Sequence, residues 1–239
     1  MDSIVARLRA EPMTRIVALG SSNTELAYHC EGRHNWFDWL EVGLRDHYGR
    51  VHQAINAGVS GETSREMLGR FERDVALHQP HVLIVTVGGN DCSPANDVWE
   101  DEFRGNLREL VGRARDLKEC QPILQTYYSF DLEKMQEQPY PEPEQAVCFP
   151  GYMEVVREVA AREEVVLFDH LDRWERLRLA KPEIYRGLMR DTLHVNPVGN
   201  MVIGLEGLRR FRAEVTGETA ERCAEGLRVQ QMLDELERQ

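Results

Sequence analysis

The sequence lacks the patterns expected of membrane-spanning, disulfide-stabilised and nucleic-acid-binding proteins. None of its apolar runs approaches the length of a membrane span. Its five cysteines are odd in number and irregularly spaced, which argues against a disulfide framework. Basic residues number 29 against 41 acidic ones, and the formal net charge of -12 disfavours nucleic acid or an anionic membrane as a partner. The N-terminal residues carry charges where a signal peptide would be apolar, so we expect a cytoplasmic protein with reduced thiols.

What the sequence does contain is an alternation of strand-like and helix-like segments over 239 residues. Apolar and β-branched runs predict strands near residues 14–19, 51–56, 82–87, 122–128 and 165–168. The segments between them carry apolar residues at helical spacing. The near-continuous apolar run at 82–87 is typical of a central parallel strand covered on both faces. The sequence therefore predicts an α/β protein whose five-stranded parallel sheet has helices on both faces.

Two stretches differ from this alternation. Residues 131–149 contain Pro139, Pro141 and Pro143 and show little periodicity, which predicts a long loop that could act as a lid. Residues 218–239 are highly charged, with an apolar stripe at helical spacing. We expect one domain over residues 1–217, followed by a helical tail that packs on that domain or on the second subunit of a homodimer.

Residues suited to nucleophilic catalysis occur in segments 20–22, 56–63, 88–91 and 191–194, all predicted at or beside the carboxyl ends of strands. Ser22 can supply a hydroxyl, His194 can accept its proton, and Asp191 is close enough in sequence to orient the imidazole. Gly61 leaves its backbone N–H open to a ligand, and Asn90 offers a side-chain amide as a further donor to an oxyanion. Taken singly, each segment is also explained as a helix cap or a turn.

In this order, the four segments resemble those of the SGNH (GDSL-like) hydrolases. The resemblance implies a flavodoxin-like three-layer α/β/α sandwich that hydrolyses esters or thioesters of a small acyl substrate through an acyl-enzyme on Ser22. It further implies that His194 acts as base and then acid, and that Asp191 holds its tautomer. The backbone N–H groups of Ser22 and Gly61 and the amide of Asn90 would bind the oxyanion. The resemblance implies neither a metal nor a cofactor.

One position departs from the family pattern. The family usually has Asp immediately before the nucleophile, and this chain has Ser21. We predict Ser22 as the nucleophile because it holds the third position of the block. Ser21, Tyr127, Tyr128 and Phe149 are expected to border the cleft and contact the substrate, although buried aromatic packing is the commoner role for such rings.

Three alternatives remain open at this point. Residues 20–25 also look like a flavodoxin phosphate loop, which would make the protein an FMN-binding electron carrier. A catalytically silent relative of the family would bind an ester or sugar without turnover. An acyltransferase would use the same three side chains and differ only in the acceptor.

Other reactive residue types have simpler interpretations. His29, Cys30 and His34 match no common metal-site spacing, so we expect no metal. Cys92 and Cys148 are expected to be buried small residues or pocket lining. Asp91 is expected to support the neighbouring loops.

Overall fold

A five-stranded parallel sheet forms the centre of the molecule. The computed structural model describes residues 1–10, 13–25, 30–49, 52–137 and 143–238. The sheet has the strand order β2-β1-β3-β4-β5, and every neighbouring pair is parallel. Its strands are β1 (Thr14–Gly20), β2 (His52–Gly58), β3 (Val82–Thr86), β4 (Gln121–Gln125) and β5 (Val166–Phe168). The predicted five-stranded parallel sheet is therefore confirmed.

Twelve α-helices in the described ranges surround this sheet. They are α1 (Asp2–Ala10), α2 (Trp36–Tyr48), α3 (Ser64–Gly69), α4 (Phe71–Asp74), α5 (Glu100–Asp116), α6 (Leu132–Glu137), α7 (Pro143–Arg162), α8 (His170–Ala180), α9 (Pro182–Leu188), α10 (Pro197–Arg210), α11 (Gly217–Arg222) and α12 (Ala224–Glu237). None of the helices in these ranges is long and apolar enough to cross a membrane.

The central strand β3 explains why the helices divide into two layers. Its side chains alternate between two apolar cores, because successive residues of a strand point to opposite faces. Val82 and Ile84 pack with α1, α2, α8, α9, α10 and α12. Leu83 and Val85 pack with α3, α4, α5 and α7. All five residues of β3 are buried, as the apolar run at 82–87 predicts, and the layers form the expected α/β/α sandwich.

The strand ends bring the predicted loops to one edge of the sheet. Gly20, the last residue of β1, is in register with Gly58 at the end of β2 and with Thr86 at the end of β3. The segments that follow these three residues therefore leave the sheet side by side. This arrangement positions three of the four segments that the sequence singles out.

The region expected to be one long loop at 131–149 contains two helices instead. Residues 132–137 form α6, whose first turn is capped by Asp131: its Oδ1 accepts hydrogen bonds of 3.2 Å from the backbone N–H groups of Glu133 and Lys134. Helix α7 begins at Pro143, and a proline fits the first turn of a helix because its missing N–H is not needed there. The predicted loop is therefore wrong for residues 132–137 and 143–149, which are helical. Pro139 and Pro141 lie outside the described residues.

A second difference concerns a helix that the sequence predicts from the apolar residues Met67, Leu68, Phe71 and Val75, with Ser60 or Thr63 as its cap. The structure divides it into α3 and α4 at Arg70, whose side chain is buried. Thr63, one of the two predicted caps, is the N-cap of α3. Its hydroxyl accepts a hydrogen bond from Arg65 N, and its own N–H donates to the Glu66 carboxylate, which completes a capping box. Apolar periodicity alone gives no sign of the break at Arg70.

The C-terminal helices pack on the same chain. Val229 and Leu233 of α12 belong to the apolar core that contains α8 and α10. Gln230 Nε2 donates a 2.9 Å hydrogen bond to the backbone oxygen of Val202 in α10. Arg173 of α8 forms an ion pair of 2.5 Å with Asp234 of α12. These contacts bury one face of α12 within the chain itself.

Candidate active site

Ser22, His194 and Asp191 form a continuous chain of hydrogen bonds. Ser22 Oγ lies 2.8 Å from His194 Nε2, and His194 Nδ1 lies 3.0 Å from each carboxylate oxygen of Asp191. Ser22 and His194 are 6% and 7% exposed, so both side chains are largely shielded from water. Of the two adjacent serines, Ser22 contacts the imidazole, whereas the Ser21 hydroxyl contacts Tyr127.

The loop that carries Asp191 and His194 is closed by its own backbone. Asp191 Oδ1 accepts hydrogen bonds from the N–H groups of Leu193 and His194, at 2.9 and 2.7 Å. The N–H of Arg190 donates to the His194 carbonyl at 2.8 Å, and an antiparallel bridge joins the residues on either side of the loop. The loop then enters α10 through Asn196, whose side chain caps the helix. This local structure fixes the carboxylate against the imidazole.

The environment of Asp191 keeps its carboxyl charged. Burial alone would raise the pKa of Asp191, but hydrogen bonds from His194 and Leu193 and the attraction of the imidazole outweigh it and lower the pKa to about 2. A charged carboxylate at Nδ1 favours the tautomer in which Nε2 lacks a proton. That nitrogen can then accept the Ser22 proton.

Gly61 and Asn90 lie on loops that are bonded to each other. Gly61 has a φ of +81°, a conformation that favours glycine, and a Cβ added there would meet no atom of the described chain within 4 Å. Asn90 Nδ2 donates a 2.8 Å hydrogen bond to the carbonyl of Glu62. The bond fixes the amide beside Gly61 and leaves its second N–H to donate elsewhere.

Arg70 is a supporting residue that the sequence analysis missed. Its guanidinium is buried and donates to the carbonyls of Gly20 at 3.1 Å and Ala57 at 2.9 Å, at the ends of β1 and β2. It also pairs with Glu62, next to Gly61, and with Asp74. Arg70 therefore connects the end of β1, just before Ser22, to the Gly61 loop. The sequence carries no local signal for this role, because the partners are distant in the chain.

Asp91 joins the Asn90 loop to α3. Its Oδ1 accepts a 2.9 Å hydrogen bond from the backbone N–H of Ser64, and its Oδ2 is buried with no hydrogen-bond partner among the described residues. Burial raises the pKa of Asp91 to about 6, against the lowering effect of the Ser64 hydrogen bonds. This contact agrees with the expectation that Asp91 supports neighbouring loops.

The structure places the predicted pocket aromatics around these loops. Tyr127 and Tyr128 are buried, and their hydroxyls contact the side chains of Ser21 and Asn23, on either side of Ser22. Phe149 lines a cavity of about 390 Å³ between α7 and α8, together with Phe130 and Leu171. Ser22 is not part of that cavity's lining, so a substrate role for Phe149 stays a prediction.

The remaining candidates take structural positions. Cys92 is buried, and its thiol donates to the Gly89 carbonyl at 3.1 Å, while burial raises its pKa. Cys148 is partly exposed. His29 lies outside the described residues. Across the described ranges, no group of three or more His, Cys, Asp and Glu side chains could hold a metal ion.

The fold and the position of these segments define a member of a known hydrolase family. The chain belongs to the GDSL-like Lipase/Acylhydrolase family, whose pattern matches residues 18–202. Among curated proteins, it is similar to an acetylxylan esterase from Geobacillus stearothermophilus, with 25% identity over 183 residues that cover 73% of this chain and 75% of the relative. It is also similar to the uncharacterized lipoprotein YqeF from Bacillus subtilis, with 25% identity over 177 residues that cover 65% of this chain and 70% of that protein.

Solved structures show the same fold. A crystal structure of an acetylxylan esterase from Geobacillus stearothermophilus has a TM-score of 0.70 and 21% sequence identity, covering 88% of this chain and 99% of that one. A lipase/acylhydrolase from Enterococcus faecalis has a TM-score of 0.66 and 22% identity, covering 86% of this chain and all 100% of the other. The SGNH-type fold is therefore confirmed. The family and its esterase relatives make this chain a carboxylic ester hydrolase, which favours the esterase interpretation over the flavin carrier.

Proposed function

We propose that this esterase cleaves esters of small acyl groups through an acyl-enzyme on Ser22. The observation that carries the proposal is the hydrogen-bond chain from Ser22 through His194 to Asp191, with links of 2.8 and 3.0 Å. Solved structures of the Geobacillus esterase include catalytic mutants in which a serine, a histidine or an aspartate is replaced by alanine. The same three residue types lie in hydrogen-bond contact here, which supports a shared mechanism.

The reaction follows from the positions of the two nitrogen atoms of His194. Ser22 Oγ bonds to the ester carbonyl carbon as its proton moves to His194 Nε2, and Asp191 stabilises the imidazolium. The imidazolium then gives this proton to the leaving alcohol oxygen as the carbon–oxygen bond breaks. Water attacks the acyl-enzyme in the same way, with His194 taking its proton and returning it to Ser22 as the acid leaves.

Negative charge develops on the carbonyl oxygen in both steps. The donors proposed for it are the backbone N–H groups of Ser22 and Gly61 and the free N–H of the Asn90 amide. Each such donor is worth roughly 3 kcal/mol of transition-state stabilisation. The hydrogen bond from Asn90 to Glu62 holds the amide in place before the substrate binds, so little reorganisation is needed during the reaction.

The proposed acyl group is short, with acetate as the first candidate. One relative is an acetylxylan esterase, and its structures share the sandwich over most of this chain. Tyr127 is 2% exposed and its hydroxyl lies 2.9 Å from Ser21 Oγ, so its side chain occupies space on that side of Ser22. A long acyl chain would have to lie elsewhere, along the surface.

The proposal is tested with p-nitrophenyl esters from acetate to decanoate. We expect turnover to be greatest with acetate, and S22A and H194A to lose at least about 10³-fold in kcat. S21A is the matched control: it removes an adjacent hydroxyl that bonds Tyr127, and it is expected to stay within about tenfold of wild type, the effect of roughly one neutral hydrogen bond.

Three results would contradict parts of this proposal. An S22A enzyme that keeps its activity while S21A loses it would make Ser21 the nucleophile. A preference for decanoate would contradict the small acyl group. Ester products with added short alcohols, at rates above hydrolysis, would identify an acyltransferase instead. Mass spectrometry after reaction with a fluorophosphonate locates the modified serine directly.

A further inference from the structure

Two consecutive tyrosines after β4 reach the residues on either side of Ser22. The Tyr127 hydroxyl lies 2.9 Å from Ser21 Oγ, and the Tyr128 hydroxyl donates to Asn23 Oδ1 at 2.5 Å. Ser22 therefore lies between Ser21 and Asn23, and the side chains of both are hydrogen-bonded to the two tyrosines that follow β4. The mechanism described above uses neither tyrosine.

Tyr128 also reaches the loop that carries the base. Its hydroxyl oxygen lies 2.8 Å from the Leu193 carbonyl and accepts a 3.0 Å hydrogen bond from the N–H of Val195. Leu193 and Val195 flank His194 in sequence, as Ser21 and Asn23 flank Ser22. A single oxygen atom therefore contacts both the nucleophile loop and the base loop.

Both rings are fixed by packing on opposite faces of the sheet. Tyr127 belongs to the core with α5 and α7, and its ring meets Phe149 at a centroid distance of 6.4 Å. Tyr128 belongs to the other core and packs against Trp174 at 5.2 Å. Burial raises the pKa of both phenols, so each hydroxyl keeps its proton and can donate one hydrogen bond. A buried ring with two torsions holds such a hydroxyl at a defined point.

We propose that Tyr127 and Tyr128 are positioning residues for the reaction, and that Tyr128 sets the distance between Ser22 and His194. The inference rests on the proposed function, because it assigns a role in the proton transfer between these two side chains. Without the Tyr128 hydroxyl, the two loops lose this shared contact, and the distance between Ser22 and His194 is less restrained. A displacement of about 1 Å in such a site can cost roughly 100-fold in rate.

The test compares Y128F with Y127F and with Y152F as a matched control. The Tyr152 hydroxyl is also buried and donates to a backbone carbonyl, that of Val98, but it contacts neither loop. We expect Y128F to lower kcat about 10- to 100-fold with KM within about threefold. Y127F, which contacts only the nucleophile loop, is expected to lose less. Y152F should keep wild-type kcat.

Two further readouts separate positioning from a general structural role. The rate of fluorophosphonate labelling of Ser22 should fall in Y128F in proportion to kcat, since it depends on the same proton transfer. N23A removes the side chain that accepts the Tyr128 hydrogen bond and leaves the core unchanged. It therefore tests the same contact if Y128F folds poorly. If both variants break the same contact, the Y128F/N23A double variant should be no slower than the slower single variant, rather than showing the product of the two losses.

The outcomes of this series distinguish the two levels of the proposal. Loss in S22A and Y128F, with wild-type kcat in Y152F, supports both. An inactive S22A together with wild-type kcat and labelling in folded Y128F overturns the positioning role alone. Equal losses of melting temperature in Y128F and Y152F, with kcat unchanged in both, also overturn it. An S22A enzyme with wild-type activity overturns the proposed function and the inference that rests on it.

Discussion

The buried carboxyl of Asp91 should make the protein less stable as the pH rises through about 6. Its pKa is raised from 3.8 to about 6 by burial, so the folded state binds a proton more tightly than the unfolded state does. The stabilisation is full below about pH 3.8 and is lost as the pH rises through about 6. The side chain is 1% exposed, so solvent screening does not reduce this effect.

The size of the change follows from the two pKa values. Between pH 5 and pH 7.5, a carboxyl with a pKa of about 6 when folded and 3.8 when unfolded loses about 1.4 kcal/mol of stability. For a chain of this length, that corresponds to a fall of roughly 3–5 °C in melting temperature. D91N removes the titration, and its side-chain oxygen can still accept the hydrogen bond from Ser64 N.

The assay is urea unfolding of wild type and D91N at both pH values. Burial lowers the pKa of His52 in the folded state, and this makes the protein more stable over the same rise in pH. That contribution is present in both proteins and cancels when their pH differences are subtracted. We expect wild type to lose about 1.4 kcal/mol more than D91N between pH 5 and pH 7.5.

D74N is the contrasting control. Hydrogen bonding to Arg73 lowers the pKa of Asp74 to about 2, despite its partial burial, so both its folded and unfolded values lie below pH 5. Its removal should lower stability by a similar amount at pH 5 and at pH 7.5. The reasoning about Asp91 would be refuted if wild type and D91N showed the same pH difference, or if wild type gained stability relative to D91N as the pH rose.

Three further predictions concern the loops around the nucleophile. N90A removes a proposed oxyanion donor and should lower kcat on p-nitrophenyl acetate about 10²- to 10³-fold, while an unchanged kcat would remove Asn90 from that role. G58A should lower the melting temperature, because its Cβ would lie 2.2 Å from the backbone nitrogen of Glu25; G69A, with no atom of the described chain within 4 Å, should not lower it comparably. R70M should cost roughly 2–3 kcal/mol in urea unfolding, since it removes hydrogen bonds from a charged donor to the ends of β1 and β2.

The sheet and the segments that carry the candidate site residues could be predicted because their signals are local. Each strand is a short apolar run, and each of its ends lies within three residues of the predicted position. The pair Asp191 and His194 is separated by two residues, and the turn that joins them is closed by bonds within the segment itself. Ser22 lies two residues after Gly20, the last residue of β1. For such residues, sequence order alone defines the surroundings.

Two predictions are wrong because neither proline nor helical periodicity decides a helix by itself. Pro143 begins α7 rather than lying in a loop, and Pro150 lies inside the same helix. The first turn of a helix does not need the N–H that a proline lacks. At Arg70 the apolar pattern continues from Met67 to Val75, and the structure nevertheless divides the helix there into α3 and α4.

The supporting roles of Arg70 and Tyr128 could not be found from the sequence, because their hydrogen-bond partners are distant along the chain. A buried backbone carbonyl must be hydrogen-bonded, and a side chain can supply a donor where the backbone leaves a strand. Arg70 donates to the carbonyls of Gly20 and Ala57 in β1 and β2, and the Tyr128 hydroxyl oxygen lies 2.8 Å from the Leu193 carbonyl. Both side chains lie at least 13 residues along the chain from these carbonyls. Nothing in their own segments marks them, whereas the reactive residues are marked by composition. The candidate catalytic residues of this esterase thus lie in four short segments that the sequence marks. The relative positions of those segments depend on side chains such as Arg70 and Tyr128, which belong to no recognisable motif.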